Sequence, residues 1–231
     1  MKATTDPEGF DKVSKLAFAP IYPYLARCIT NKFGISKGVC VDVGSGPGSL
    51  AIAIARITKL QVYSLDIQER MTEVALRNIA QAGLSSRIRA VTADVCKMPF
   101  DDESIDIVVS RGSMPFWEDR RRAFREIYRV LKPSGIAYVG GGFGSEEIKS
   151  QVFEAFSKND ALKDSREKFL VGMRRAKFEP EQIQKELDDS DVQGTVENEF
   201  CGRWVQIIKP EARPTDVIDD ELNIQYRRQT R

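Results

Sequence analysis

Histidine is missing altogether from this chain of 231 residues. Its absence excludes an imidazole general base, a serine–histidine nucleophile and a histidine-ligated metal. Acid–base work is left to Asp, Glu, Tyr, Lys or Cys. Cysteine is scarce, and none of Cys28, Cys40, Cys96 and Cys201 stands in a Cys-x-x-Cys pair. No zinc knuckle, and no metal site of any kind, is therefore expected, and a disulfide framework does not suit a chain of this size. An excess of charge of one sign is also missing. With 35 basic and 34 acidic residues the formal net charge is +1, which gives no electrostatic reason to bind nucleic acid or an anionic membrane. No stretch approaches the ~20 apolar residues of a membrane span. The first residues, MKATTDPEGF, lack the apolar run of a signal peptide. The expectation is a cytoplasmic protein with no membrane span, and neither a repeat nor a low-complexity tract complicates it.

What is present is an ordinary globular composition, 42% hydrophobic and 30% charged, in a length that suits one α/β domain. Short runs rich in Val and Ile predict strands at Val39–Val43, Gln61–Ile67, Ile88–Asp94, Ile105–Ser110 and Gly135–Val139. Such continuous apolar runs belong to strands buried on both faces. Helical spacing fills the gaps. Met71, Val74, Ala75 and Ile79 form one stripe, with Gly83 placed to end it. Phe124, Ile127, Tyr128 and Leu131 form another, stopped by Pro133 and Gly135. This alternation predicts a parallel sheet with helices on both faces. "VQGTVENEF" and "RWVQIIK" read as two adjacent strands in an antiparallel hairpin. Residues 1–210 thus read as one domain: a helical cap over 1–37, a core over 38–143, helices over 144–190 and the hairpin over 191–210. Residues 211–231 read as a polar tail.

"VDVGSGPGSLAIAIA", residues 41–55, carries the strongest local signal. Gly44, Gly46 and Gly48 follow an acid, Asp42, at the end of a strand and precede a helix. A dinucleotide fingerprint would want its third glycine at position 49, which is Ser49, and no Lys-Ser/Thr pair follows for a phosphate loop.

D-x-G-x-G-x-G resembles the first motif of class I S-adenosylmethionine-dependent methyltransferases. Asp66 at the end of "VYSLD", Asp94 at the end of "VTAD", and "REIYRVLKPSGIAYV" extend the resemblance over residues 38–143, with Ser134 standing where the family has a glycine. The chain is most similar to the small-molecule, quinone-biosynthesis branch. "VSRGSMPFWED" also resembles a group of archaeal and bacterial members of unassigned substrate. The resemblance implies a Rossmann-like, doubly wound, mostly parallel seven-stranded sheet, S-adenosylmethionine as cofactor and a small-molecule acceptor methylated by direct displacement. It implies a cofactor site of Asp42, Gly44, Ser45, Gly46, Gly48, Asp66, Ile67, Asp94, Val95, Ser110 and Arg111, and makes residues 144–190 a lid.

Within that frame the glycines bring bare backbone close to the methionine part, and the helix after Gly48 aims free N–H groups at its carboxylate. Asp42 can attract the cofactor's amino group, directly or through water, or can serve as a helix cap. Asp66 can accept from both ribose hydroxyls. A carboxylate there also fits a nicotinamide cofactor, so Asp94, aimed at the adenine amino group, discriminates better. Ser110 and Arg111 fall beside the sulfonium and the acceptor.

No residue is singled out as the catalyst; Tyr22, Arg111 and Trp117 are the candidates. Arg111 can pair with Glu118 or Asp119, or bind an acidic substrate. Phe116 and Trp117 can wall the site or pack their loop. "SMPFW" resembles the motif of amino-group methyltransferases, offset by three residues from the strand end and with Met114 in place of a proline. "GMRRAKF", residues 172–178, can meet an anionic substrate or form a surface cluster. "GGGFG", residues 140–144, means either a flexible or a closely approached backbone. The alternatives to a small-molecule enzyme are a protein or RNA methyltransferase and a non-catalytic protein that binds the cofactor or S-adenosylhomocysteine. The oligomeric state is open.

Overall fold

Val39–Val43 (β1) lies inside the sheet, paired along both of its edges. On one side lie Gln61–Asp66 (β2) and then Ile88–Thr92 (β3); on the other lie Ile105–Arg111 (β4) and then Leu131–Gly142 (β5), all parallel. Gly202–Ile208 (β7) runs antiparallel to β5, and Gly194–Glu199 (β6) antiparallel to β7, giving the order β3-β2-β1-β4-β5-β7-β6. The chain is a Rossmann-like, mostly parallel seven-stranded sheet closed by an antiparallel hairpin. Strand order reverses between β1 and β4, and in such sheets the crevice at that point, outside the carboxyl ends of the strands, receives ligands. The structure, a computed structural model, describes residues 6–167, 171 and 179–211. "GMRRAKF" and residues 212–231 of the tail lie outside the described residues.

Helices Pro7–Leu16 (α1), Ile21–Phe33 (α2), Ser49–Ile57 (α3), Glu69–Gln81 (α4) and Glu146–Lys158 (α6) bury their apolar stripes with Cys40, Ile107 and Val109. Arg120–Val130 (α5) and Pro180–Asp188 (α7) share a second core with Val41, Val43 and Val108. Alternate residues of β1 and β4 thus face opposite cores, as the two-residue period of a strand requires. Asp42 points to the same side as Cys40, toward α3. The expected stop at Gly83 holds, with φ of +71°, and Gly34 leaves α2 the same way at +63°. The stop expected from Pro133 and Gly135 comes sooner, because α5 ends at Val130 and Leu131, Pro133 and Gly135 already lie in β5.

β2 ends one residue sooner and β4 one residue later than the sequence expectation, and β3 and β5 differ by more. β3 stops at Thr92, and Asp94 keeps only an isolated bridge to Lys97. β5 is longer than expected, starting at Leu131 and running to Gly142, with an irregular register to β4 before Ile107. The glycines of "GGGFG" explain its far end. Gly140, Gly141 and Gly142 pair with Trp204, Arg203 and Gly202 so closely that a Cβ on Gly140 or Gly202 would overlap the opposite backbone. They serve close approach rather than flexibility.

Candidate functional site

Between β1 and α3 the chain turns through Gly44, Gly46 and Gly48 with φ of +63°, +57° and +81°. L side chains rarely take such conformations. Space adds a second reason at two positions. A Cβ on Gly44 would collide with the side chain of Ser113, and one on Gly46 would stand 3.1 Å from the Phe10 ring. Ser45 donates its N–H to Leu65 O (3.0 Å), and Ser64 Oγ donates to Ser45 Oγ (2.7 Å), tying the turn to β2.

The two buried acids of the site play unlike parts. Asp42 is 1% exposed and its Oδ2 accepts the Ala51 N–H at 3.1 Å. Gly48, at the N-cap of α3, has no side chain to cap with, so Asp42 supplies the missing acceptor to the helix's first turn. Burial pushes its carboxyl up to about 8, with Asp66 adding repulsion and the Ala51 bond opposing. At neutral pH Asp42 is therefore mostly protonated. Asp66 lies beside the glycine turn. Its Oδ2 accepts from Gly46 N and its Oδ1 from Gln68 N, both at 2.9 Å. Burial raises its pKa, against the pull of those backbone donors. Ile67, the next residue, stays 50% exposed, an open apolar surface beside an aimed carboxylate. Val95 is buried. Asp94 is exposed and turns its Oδ1 to Cys96 N (2.8 Å).

Beyond β4, Ser113 staples the site together. Its Oγ donates to Val43 O (3.0 Å), lies 2.7 Å from Ser110 Oγ and accepts the Trp117 indole N–H at 3.0 Å. Trp117 also packs edge-on against Phe124, centroids 6.1 Å apart. It thus anchors its own loop, while Phe116, 66% exposed, is left outside. Sequence reading singled out Ser110 but not Ser113. The only hint was that Gly44 needs room, and nothing in the sequence says which side chain takes it.

Arg111 is not paired with Glu118 or Asp119. Asp119 instead caps α5, accepting from Arg122 N at 3.0 Å. The Arg111 guanidinium lies 4.5 Å from the Phe18 ring centroid and 5.9 Å from that of Tyr22. Its Nε donates to Gly142 O at 3.3 Å, so it leans toward β5, the side of β4 away from the glycine turn. Tyr22 accepts from Ser14 Oγ at 2.9 Å and contacts Arg111, and Ser14 Oγ lies 2.7 Å from Ser49 Oγ. A polar chain therefore runs from the glycine turn through α1 and α2 to Arg111. Burial raises the Tyr22 phenol above its ordinary range, so it is no base at neutral pH. Ser14 and Phe10 were not singled out from sequence.

The residues present fit an adenosyl ligand with a charged tail: bare backbone beside a helix N-terminus, a buried carboxylate aimed at the turn, and apolar surface next to it. Comparisons with known proteins agree. Residues 41–139 match the family described as "Methyltransferase domain". A crystal structure of a provisionally assigned S-adenosyl-L-methionine-dependent methyltransferase from Methanococcus maripaludis is 41% identical. The match covers 90% of this chain and 94% of that one, with a TM-score of 0.76. The ubiquinone/menaquinone biosynthesis C-methyltransferase UbiE of a Marinomonas strain is 27% identical over 152 residues, 64% of this chain and 61% of its own length. Sterol 24-C-methyltransferase erg6 of Aspergillus fumigatus is 34% identical over 121 residues, 51% of this chain and 32% of its own length. The chain thus spans less than two thirds of these curated relatives. The extent of the Methanococcus match, joined to the glycine turn and its acids, places this chain in the class I S-adenosylmethionine-dependent methyltransferase family.

Proposed function

We propose that the chain transfers a methyl group from S-adenosylmethionine to a small-molecule acceptor. The observation that carries this reading is the Gly44–Gly46–Gly48 turn held against the Asp66 carboxylate at a 2.9 Å contact to Gly46 N. Small acceptors are supported by the near-neutral charge and by likeness to UbiE and erg6, whose names specify quinone-biosynthesis and sterol C-methylation.

When bound, S-adenosylmethionine supplies an activated methyl on a sulfonium together with its leaving group. The chain's residues bind and orient. Asp66 would hold the ribose hydroxyls, Ile67 and Val95 flank the adenine, and Asp94 accept from its amino group. Gly44, Ser45, Gly46 and Gly48 would present backbone to the methionine part. Asp42 supports that backbone from below through α3. Ser110, fixed by Ser113, and Arg111 would border the acceptor. Holding an acceptor in line with the methyl can itself lower the barrier by about 7–11 kcal/mol, so this reading needs no dedicated base.

Calorimetry tests it directly. S-adenosylmethionine should bind and NAD should not, and Asp66→Ala should weaken the cofactor by about 10–100-fold, the worth of charged hydrogen bonds to a buried group. Unchanged affinity in Asp66→Ala would remove that residue from the site. Label from methyl-labelled cofactor should enter small metabolites of a fractionated extract. Label confined to protein or RNA would replace the acceptor class, and no label anywhere would favour a non-catalytic binder.

A further inference from the structure

Arg111 is a cation placed where a second cation is expected. Under the methyltransferase reading, on which the assignment of Arg111 rests, a sulfonium occupies the carboxyl ends of β1 and β4, and Arg111 ends β4. Two positive charges in a partly desolvated site repel unless an anion joins them. Among the described residues no carboxylate lies within ion-pair distance of Arg111. Asp42, the acid of the turn, spends its Oδ2 on Ala51 N at the start of α3 and burial pushes its carboxyl up to about 8, so it is a poor counterion at neutral pH. The guanidinium is held by Phe18, Tyr22 and Gly142 O, and it carries more N–H donors than these contacts use. Stacking on aromatic faces keeps the planar fork rigid, which suits bidentate capture of an oxyanion. Its Nε bond to Gly142 O ties it to β5, on the side of β4 away from the turn that would present backbone to the cofactor's methionine part.

We infer that Arg111 receives a carboxylate carried by the methyl acceptor. One guanidinium suits a monoanion, and the anion then neutralises the pair of cations that cofactor and protein otherwise bring together. Binding of acceptor and cofactor should consequently be coupled through charge.

Calorimetry with benzoate as the probe, benzamide as its uncharged match and inorganic phosphate as the rival anion tests this. Wild type, Arg111→Met and Arg111→Lys are first titrated with S-adenosylmethionine; failure of the wild type to bind it would sink the methyltransferase reading, a separate outcome. Benzoate should then bind the S-adenosylmethionine-saturated wild type, at least about tenfold more weakly to the S-adenosylhomocysteine complex, whose sulfur is uncharged, and not measurably to Arg111→Met. Arg111→Lys should keep part of the affinity, and Arg111→Met should bind S-adenosylmethionine at least as well as wild type. Should Arg111→Met fail to fold, the comparison of the two cofactor complexes and Arg111→Lys still decide. No benzoate binding to wild type, equal binding of benzamide, or phosphate bound in preference would each overturn the assignment. So would equal loss of affinity for S-adenosylmethionine and S-adenosylhomocysteine in Arg111→Met, which would give Arg111 to the cofactor's own carboxylate.

Discussion

At the scale of single residues, two side chains stand at odds with their surroundings, and each yields a measurable consequence. Asp42 titrates near 8 because burial disfavours its charged form, against an ordinary value of 3.8. The folded state therefore holds this proton more tightly than the unfolded chain. The contribution of Asp42 to stability is accordingly full below about pH 4, falls as pH rises toward 8 and is flat above it, by an amount on the order of a few kcal/mol. Asp42→Asn keeps an oxygen for Ala51 N but carries no charge. In thermal unfolding this variant should lack that downward contribution to the slope between those limits and exceed wild type at pH 8; a slope identical to wild type would mean that Asp42 does not carry it. Ser134 is the second case. It occupies the position where the family pattern has glycine, and its φ is +63°, a left-handed conformation costing an L residue roughly 1–2 kcal/mol. Ser134→Gly should recover about 1 kcal/mol in denaturant unfolding, because the hydroxyl it gives up makes only an exposed 3.3 Å contact to Glu211. The departure from the family motif was legible in the sequence; that the serine would take a left-handed backbone was not, since it lies where β5 breaks register with β4 before Ile107.

At the scale of elements, the glycine turn is held from outside as well as by its own residues. Asn78 of α4 donates to Pro47 O at 3.0 Å and to Asp11 Oδ1 at 2.7 Å, and accepts from Lys15 Nζ at 2.7 Å. It therefore binds turn, α1 and α4 at one buried point, while Phe10 of α1 covers Gly46. Asn78→Ala would leave Pro47 O and Asp11 without this partner, a loss of about 1–3 kcal/mol. Hydrogen exchange should locate the effect in α1, and cofactor affinity should fall with it, since the turn would lose its outer clamp. Faster exchange spread evenly over the sheet, with α1 no different, would contradict this division. The strands, the helical stripes and the stop at Gly83 were readable because their signals are local: β-branched runs, apolar spacing and a single glycine. Asn78 and Ser14 were not, because their bonds to the turn and to the start of α3 cross 31 and 35 residues of sequence and each looks like an ordinary polar residue in a helix pattern.

For the whole molecule, the cap and the hairpin close on the sheet from opposite ends of the chain. Lys32 of α2 bonds Glu197 and Glu199 of β6 at 2.9 and 2.8 Å, next to the stack of Tyr138 on Trp204 with centroids 4.8 Å apart. The N-terminal helices thus touch both the glycine turn and the last strands, so a ligand that tightens the turn has a mechanical route to the rest of the fold. Linkage gives the size of the effect. A ligand bound only by the folded state stabilises it by about 2.7 kcal/mol at a hundredfold excess over its Kd, which in a chain of this length is roughly 5–10 °C in Tm. S-adenosylhomocysteine should produce that shift in differential scanning calorimetry, as one cooperative transition moved whole, and Asp66→Ala should lose most of it at the same ligand concentration. NAD should leave the Tm where it was. A second transition that ignores the ligand would show that cap and sheet melt apart, and that the contacts of Ser14, Asn78 and Lys32 do not transmit what the turn binds.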